Sequence, residues 1–149
     1  SVLNHVYIGV DATAGDDIKI QDNTFSNVAI PIKLSANVSP TISGNNCDNQ
    51  IIGISGAVYN SNSLPKYQWN FKLTGSIKVY NGATLTIENG ADVNLNGFNI
   101  YVGDYQSNRT GKLIASNVNF SNTASNETMI YFQYNDSGGE IINSVFEEV

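Results

Sequence analysis

Ile20-Gln-Asp-Asn-Thr-Phe25 and Ile42-Ser-Gly-Asn-Asn-Cys47 share the pattern apolar-x-x-Asn-x-apolar, and both Ile20 to Ile42 and Phe25 to Cys47 are steps of 22 residues. A fixed period of about 20 to 50 residues marks a repeat architecture and overrides a purely local reading. The strand-like stretch before each copy follows the same rhythm: Val6-Tyr-Ile8, Ile30-Pro-Ile32 and Ile52-Gly-Ile54 recur at steps of 24 and 22.

The rhythm returns with longer coils further along. Ile77-Lys-Val79, Ile100-Tyr-Val102 and Ile130-Tyr-Phe132 form one series. Leu85-Thr-Ile87, Leu113-Ile-Ala115 and Ile141-Ile-Asn143 form a second, and Val93-Asn-Leu95, Val118-Asn-Phe120 and Val145-Phe146 a third. Three short strands per turn, each followed by Gly, Asn, Ser or Asp, are what a triangular solenoid requires. The sequence therefore predicts an all-β chain, a right-handed parallel β-helix of about six coils of three short strands. Residues 1–149 read as a single β-helix domain or fragment, with coils of about 22 residues in 1–55, an irregular junction at 56–74 and longer coils in 75–149.

The residue types agree with this at each position. Alternation along a short strand turns Ile, Val, Leu and Phe inward, so apolar side chains stack from coil to coil. Corners need positive φ or side-chain bonding to the backbone, which Asn81-Gly82, Asn89-Gly90, Asn96-Gly97 and Gly138-Gly139 supply. Asn23 and Asn45, at one corner of successive coils, are placed to form a side-chain ladder. No stretch of 11 or more residues sustains helical spacing. An antiparallel sandwich built on the Asn-Gly turns is the rival fold, but it does not predict same-register repeats near 22 residues.

Gly75-Ser-Ile-Lys-Val-Tyr-Asn-Gly-Ala-Thr-Leu-Thr-Ile-Glu-Asn-Gly-Ala-Asp-Val-Asn-Leu95, followed by Gly111-Lys-Leu-Ile-Ala-Ser-Asn-Val-Asn-Phe-Ser121, carries a resemblance to a known family. The chain resembles the right-handed parallel β-helix (pectate-lyase-like) superfamily, in the form found in microbial surface proteins. That resemblance covers most of the chain and implies the fold and an extracellular or cell-surface, carbohydrate-related setting. Its motifs specify coil geometry and no catalytic residue.

Charge narrows the partners. With 7 Lys+Arg against 13 Asp+Glu the formal charge is −6, which disfavours binding to nucleic acid. No apolar run is long enough for direct insertion into a membrane. Only 13% of residues are charged and 22 of the 149 are Asn, a neutral-polar surface of the kind that secreted β-rich proteins carry. Sequons at Asn37, Asn108, Asn119, Asn126 and Asn135 are compatible with secretion. Neither end reads as a capping element, so the chain is expected either to be a fragment or to associate end to end or edge to edge.

The chemistry-bearing residues are sparse. Cys47 fills the slot that Phe25 fills one coil earlier and reads as a buried core thiol, and His5 has nothing to pair with. The seven basic residues stand singly, which gives poor support to a lyase groove needing a base beside cations. Hydrolysis of a sugar would need two carboxylates roughly 5 to 10 Å apart. Asp92, Asp104, Asp136 and Glu140 are the acids that coils could bring together. No cofactor is implied, apart from a calcium ion at Asp11, Asp16 and Asp17 around Gly15, where hard oxygen ligands collect.

Binding has two candidate places. If the first strand series turns Val6, Ile8, Ile30, Ile32, Ile77, Val79, Ile100, Val102, Ile130 and Phe132 inward, then Tyr7, Lys78, Tyr101 and Tyr131 point outward from one sheet. Tyr101 and Tyr131 would then lie side by side about 4.8 Å apart, a surface on which sugar rings stack. The junction at 56–74 holds Tyr67 and Trp69, which either form a sugar-stacking platform or pack over the change of coil length. The polar bulge Gly103–Thr110 reads as a solvated turn. The expected function is thus a non-catalytic extracellular or cell-surface module, a structural spacer or adhesive surface with weak polysaccharide binding. The alternative is a fragment of a polysaccharide lyase or glycoside hydrolase. A regular outward Thr array would suggest ice binding, but the outward positions are mixed.

Overall fold

The computed structural model describes residues 6–121 and 129–148, so His5 and the sequon at Asn126 lie outside the described residues. Within them the chain winds through about six turns of a parallel β-solenoid, with no helix. The first turn holds β1 (Val6–Ala12), β2 (Lys19–Gln21) and β3 (Thr24–Phe25); the second holds β4 (Val28–Ser35), β5 (Thr41–Ser43) and β6 (Asn46–Cys47). Next come β7 (Ile51–Val58), β8 (Asn62–Leu64), β9 (Asn70–Val79) and β10 (Thr84–Ile87). The remaining turns contain β11 (Asp92–Asn94), β12 (Ile100–Val102), β13 (Lys112–Ser116), β14 (Asn119–Ser121), β15 (Ile130–Phe132), β16 (Gly138–Ile142) and β17 (Val145–Glu147).

The first face runs β1-β4-β7-β9-β11-β14-β17, every pair parallel. Its inward ladder is Ile32, Ile52, Phe71, Val93 and Phe120 in direct register, all five buried. Each such side chain contributes roughly 1.5 to 3 kcal/mol by leaving water. No single coil could bury it, because its neighbours above and below supply the walls. The predicted Ile20–Ile42 and Phe25–Cys47 pairs occur as β2–β5 and β3–β6. Cys47 is buried as expected.

Four strand alignments differ from the sequence reading, all by two residues. Ile30 pairs with Ile8 and Ile32 with Ile52, so the steps on the first face are 22 and 20 rather than 24 and 22. Leu113 pairs with Gly139, with Ile141 beside Ala115, and Phe120 rather than Val118 lies beside Val93. A slip of two keeps every side chain on its own face, so the apolar pattern alone does not distinguish the registers.

The stretch 56–74 is also more regular than its sequence suggests. It contains β8, which pairs with β10, and the start of β9, and the turn from Ile52 to Phe71 is the shortest of the first face at 19 residues. The spacing changes because the cross-section changes. The two-stranded sheets β2–β5 and β3–β6 stop after the second turn, and β7 bends at Gly56, where φ is +100° and the pairing with β9 slips by a bulge. Beyond this bend Gly56–Val58 and Ile77–Val79 open a second face, continued by β12 and β15.

Candidate functional site

On the second face the series Ile77, Ile100, Ile130 falls in the predicted register, so Lys78, Tyr101 and Tyr131 stand on successive strands. Ile77 and Ile100 are buried and Lys78 is exposed, as alternation requires. Tyr7 does not join this row. It lies on β1 of the first face, because the second face begins only where β7 bends.

The rings of Tyr101 and Tyr131 are 5.3 Å apart between centroids and inclined by 21°. Coplanar rings cannot approach so closely, so each spends part of one face on the other in an offset stack. The pair therefore offers less free aromatic face than two rings lying flat on the sheet. Asn99 Nδ2 donates to the Tyr101 hydroxyl at 3.0 Å and fixes its direction.

Beside Tyr101 the polar bulge closes as a small hairpin. Asp104 and Arg109 exchange backbone hydrogen bonds of 2.8 and 3.1 Å, and Arg109 sits 5.2 Å from the centre of the Tyr80 ring. The Ser107 hydroxyl and the Gln106 amide donate to the Asp104 carboxylate. The Ser107 bond chiefly, with the backbone amides of Gln106 and Ser107 and the Lys78 charge, holds that carboxyl below its usual range. Asp104 is thus a fixed anion at the rim of a hollow of about 430 Å³ lined by Lys78, Tyr101, Tyr105, Gln106 and Gln133. Tyr105 is 74% exposed and supplies the free aromatic face that the stacked pair lacks. The bulge, a solvated turn by its sequence, thus forms one wall of this hollow. The available signal was a polar loop between Gly103 and Gly111 directly after the strand that carries Tyr101.

The second predicted platform is not formed. Trp69 is 4% exposed, edge-on to Phe25 at 6.2 Å, so its ring has no surface to offer a sugar. Tyr67 packs against Phe71 at 5.7 Å and donates its hydroxyl to the Pro40 carbonyl at 2.7 Å. Burial, helped by the charge of Glu88, pushes that phenol up to about 12. Both side chains pack over the change of cross-section, because apolar surface at a bend is covered more cheaply by aromatic rings than left in water.

The scattered acids fall on different elements. Asp92 pairs with Asn119 on the first face, while Glu140 pairs with Ile114 on the sheet β8-β10-β13-β16. Asp136 occupies a turn at φ +64°. Asp11 faces Lys33 at 3.8 Å, whereas Asp16 and Asp17 line a polar hollow with Asn37, Asn60 and Asn62. The predicted calcium cluster is therefore not assembled: among the described residues no three His, Cys, Asp or Glu side chains come together to hold a metal ion.

Comparison with protein-family models, with curated proteins and with solved structures finds no match to this chain.

Proposed function

We propose that this chain is a non-catalytic β-helix module of an extracellular or cell-surface protein, a rigid spacer whose second face binds polysaccharide weakly. The likeness to surface proteins of the pectate-lyase-like superfamily belongs to this proposal. Its motif Gly75–Leu95 spans the strands that carry Lys78 and the inner ladder. One observation carries the binding reading: Lys78, Tyr101, Asp104, Tyr105, Gln106 and Gln133 converge on one hollow beside a strand of the sheet. A sugar presents apolar C–H faces and ringed hydroxyls. An aromatic ring, an amide, a fixed carboxylate and an ammonium within one hollow match both kinds of surface.

The test is a glycan array that includes acidic polysaccharides, with product release monitored in parallel. Binding without cleavage, lost in Tyr105→Ala and in the double variant Tyr101→Ala with Tyr131→Ala, is the expected result. Binding that survives these variants would remove the hollow from the proposal, and unsaturated or reducing-end products would replace the module with an enzyme.

A further inference from the structure

Ile30 is only 9% exposed, yet it stands apart from the continuous core cluster that contains Ile32 and Ile52. It belongs to a groove of about 340 Å³, together with Tyr7, Ile51, Lys72, Thr74 and Phe98. These residues come from β1, β4, β7, β9 and the turn after β11, so the groove follows the solenoid axis over four strand steps, about 19 Å. Gly53 lets its two sides approach: a Cβ there would lie 2.9 Å from both the Ile30 and the Thr74 methyl groups.

The polar groups of this groove divide into committed and free. Asn49 Nδ2 donates to the Ala29 carbonyl at 2.5 Å and Asn96 Nδ2 to the Leu73 carbonyl at 3.1 Å, so both amides hold the backbone. The Thr74 hydroxyl is buried with no hydrogen-bond partner among the described residues, which is costly to leave unmade. Lys72 is the one charged side chain lining the groove, and among the described residues it forms no ion pair. Apolar walls and one unneutralised ammonium fit a ligand with an apolar body and a single anionic head.

We infer that this groove is a binding site for a small amphipathic carboxylate. The carboxylate pairs with the Lys72 ammonium, while the apolar body lies on Ile30, Ile51 and Phe98. The site is separate from the tyrosine-lined hollow of the second face and does not depend on polysaccharide binding there.

Titration of the 15N-labelled chain with phenylacetate, and with its uncharged analogue phenylacetamide, tests this. Phenylacetate should move the amide signals of Ile30, Ile51, Lys72 and Thr74 and bind more tightly than phenylacetamide. Lys72→Gln should weaken phenylacetate about tenfold, the worth of one charge-assisted hydrogen bond, and leave phenylacetamide unchanged. Phe98→Ala should weaken both, and Tyr101→Ala neither. Equal affinity for the two probes, an unchanged affinity in Lys72→Gln, or shifts confined to other parts of the molecule would overturn the assignment.

Discussion

Asn45 Oδ1 accepts two hydrogen bonds from Asn23 on the preceding coil, one from its backbone amide and one from its side chain, each 3.0 Å long. Asn45 Nδ2 donates to the Ile20 carbonyl at 2.7 Å, so a side chain only 7% exposed is satisfied at both ends. Asn45→Ala leaves the Asn23 backbone amide without its partner at a buried corner and should cost about 1 to 3 kcal/mol. The urea midpoint measures this directly. A midpoint equal to the parent's would show that water replaces the ladder without loss.

The Trp69 ring, buried against Phe25, should be inaccessible to iodide in the native chain and quenched once the chain is unfolded in urea. The chain has one Trp, so the signal has a single source. Native-state quenching comparable to that of the unfolded chain would restore the exposed platform that the structure rules out.

Tyr67 gives a pH dependence of known sign. Its phenol is raised to about 12 by burial, so the folded chain holds this proton more tightly than the unfolded one. The associated stability is complete below pH 10 and is lost as pH rises from about 10 through 12. Its phenol should ionise in a late step of an absorbance titration, near pH 12. Tyr67→Phe should remove that late step and, through the lost bond to Pro40, cost about 0.5 to 1.5 kcal/mol at neutral pH.

Asp104 moves in the opposite direction. Ser107→Ala removes the largest cause of its lowered pKa, so its carboxyl should titrate closer to the ordinary Asp value. Side-chain carbon shifts followed through an acid titration report it. The same variant should weaken any glycan held at the hollow, since the carboxylate would no longer be held in one orientation.

Much of this architecture is legible in the residues themselves. Steps of 22 place Ile20 over Ile42, and alternation turns Lys78, Tyr101 and Tyr131 the same way, because both depend only on spacing along a strand. The buried thiol of Cys47 follows from the slot it shares with Phe25. The hollow was half legible: Tyr101 stands out by its strand position. Asp104, Tyr105 and Gln106 join it through a hairpin that folds back onto the face.

The sequence by itself determined a repeating β-chain with an apolar interior, Asn- and Gly-rich corners and an outward row on the second face, since period and alternation are local properties. Tertiary structure alone decided the rest. The choice between registers two residues apart depends on how ladders such as Ile32–Ile52–Phe71 pack between coils, because either register satisfies the alternation. The burial of Trp69 against Phe25 and the seat of Ile30 outside the continuous core depend on what the neighbouring coils cover and leave uncovered, which are contacts between residues far apart in the chain.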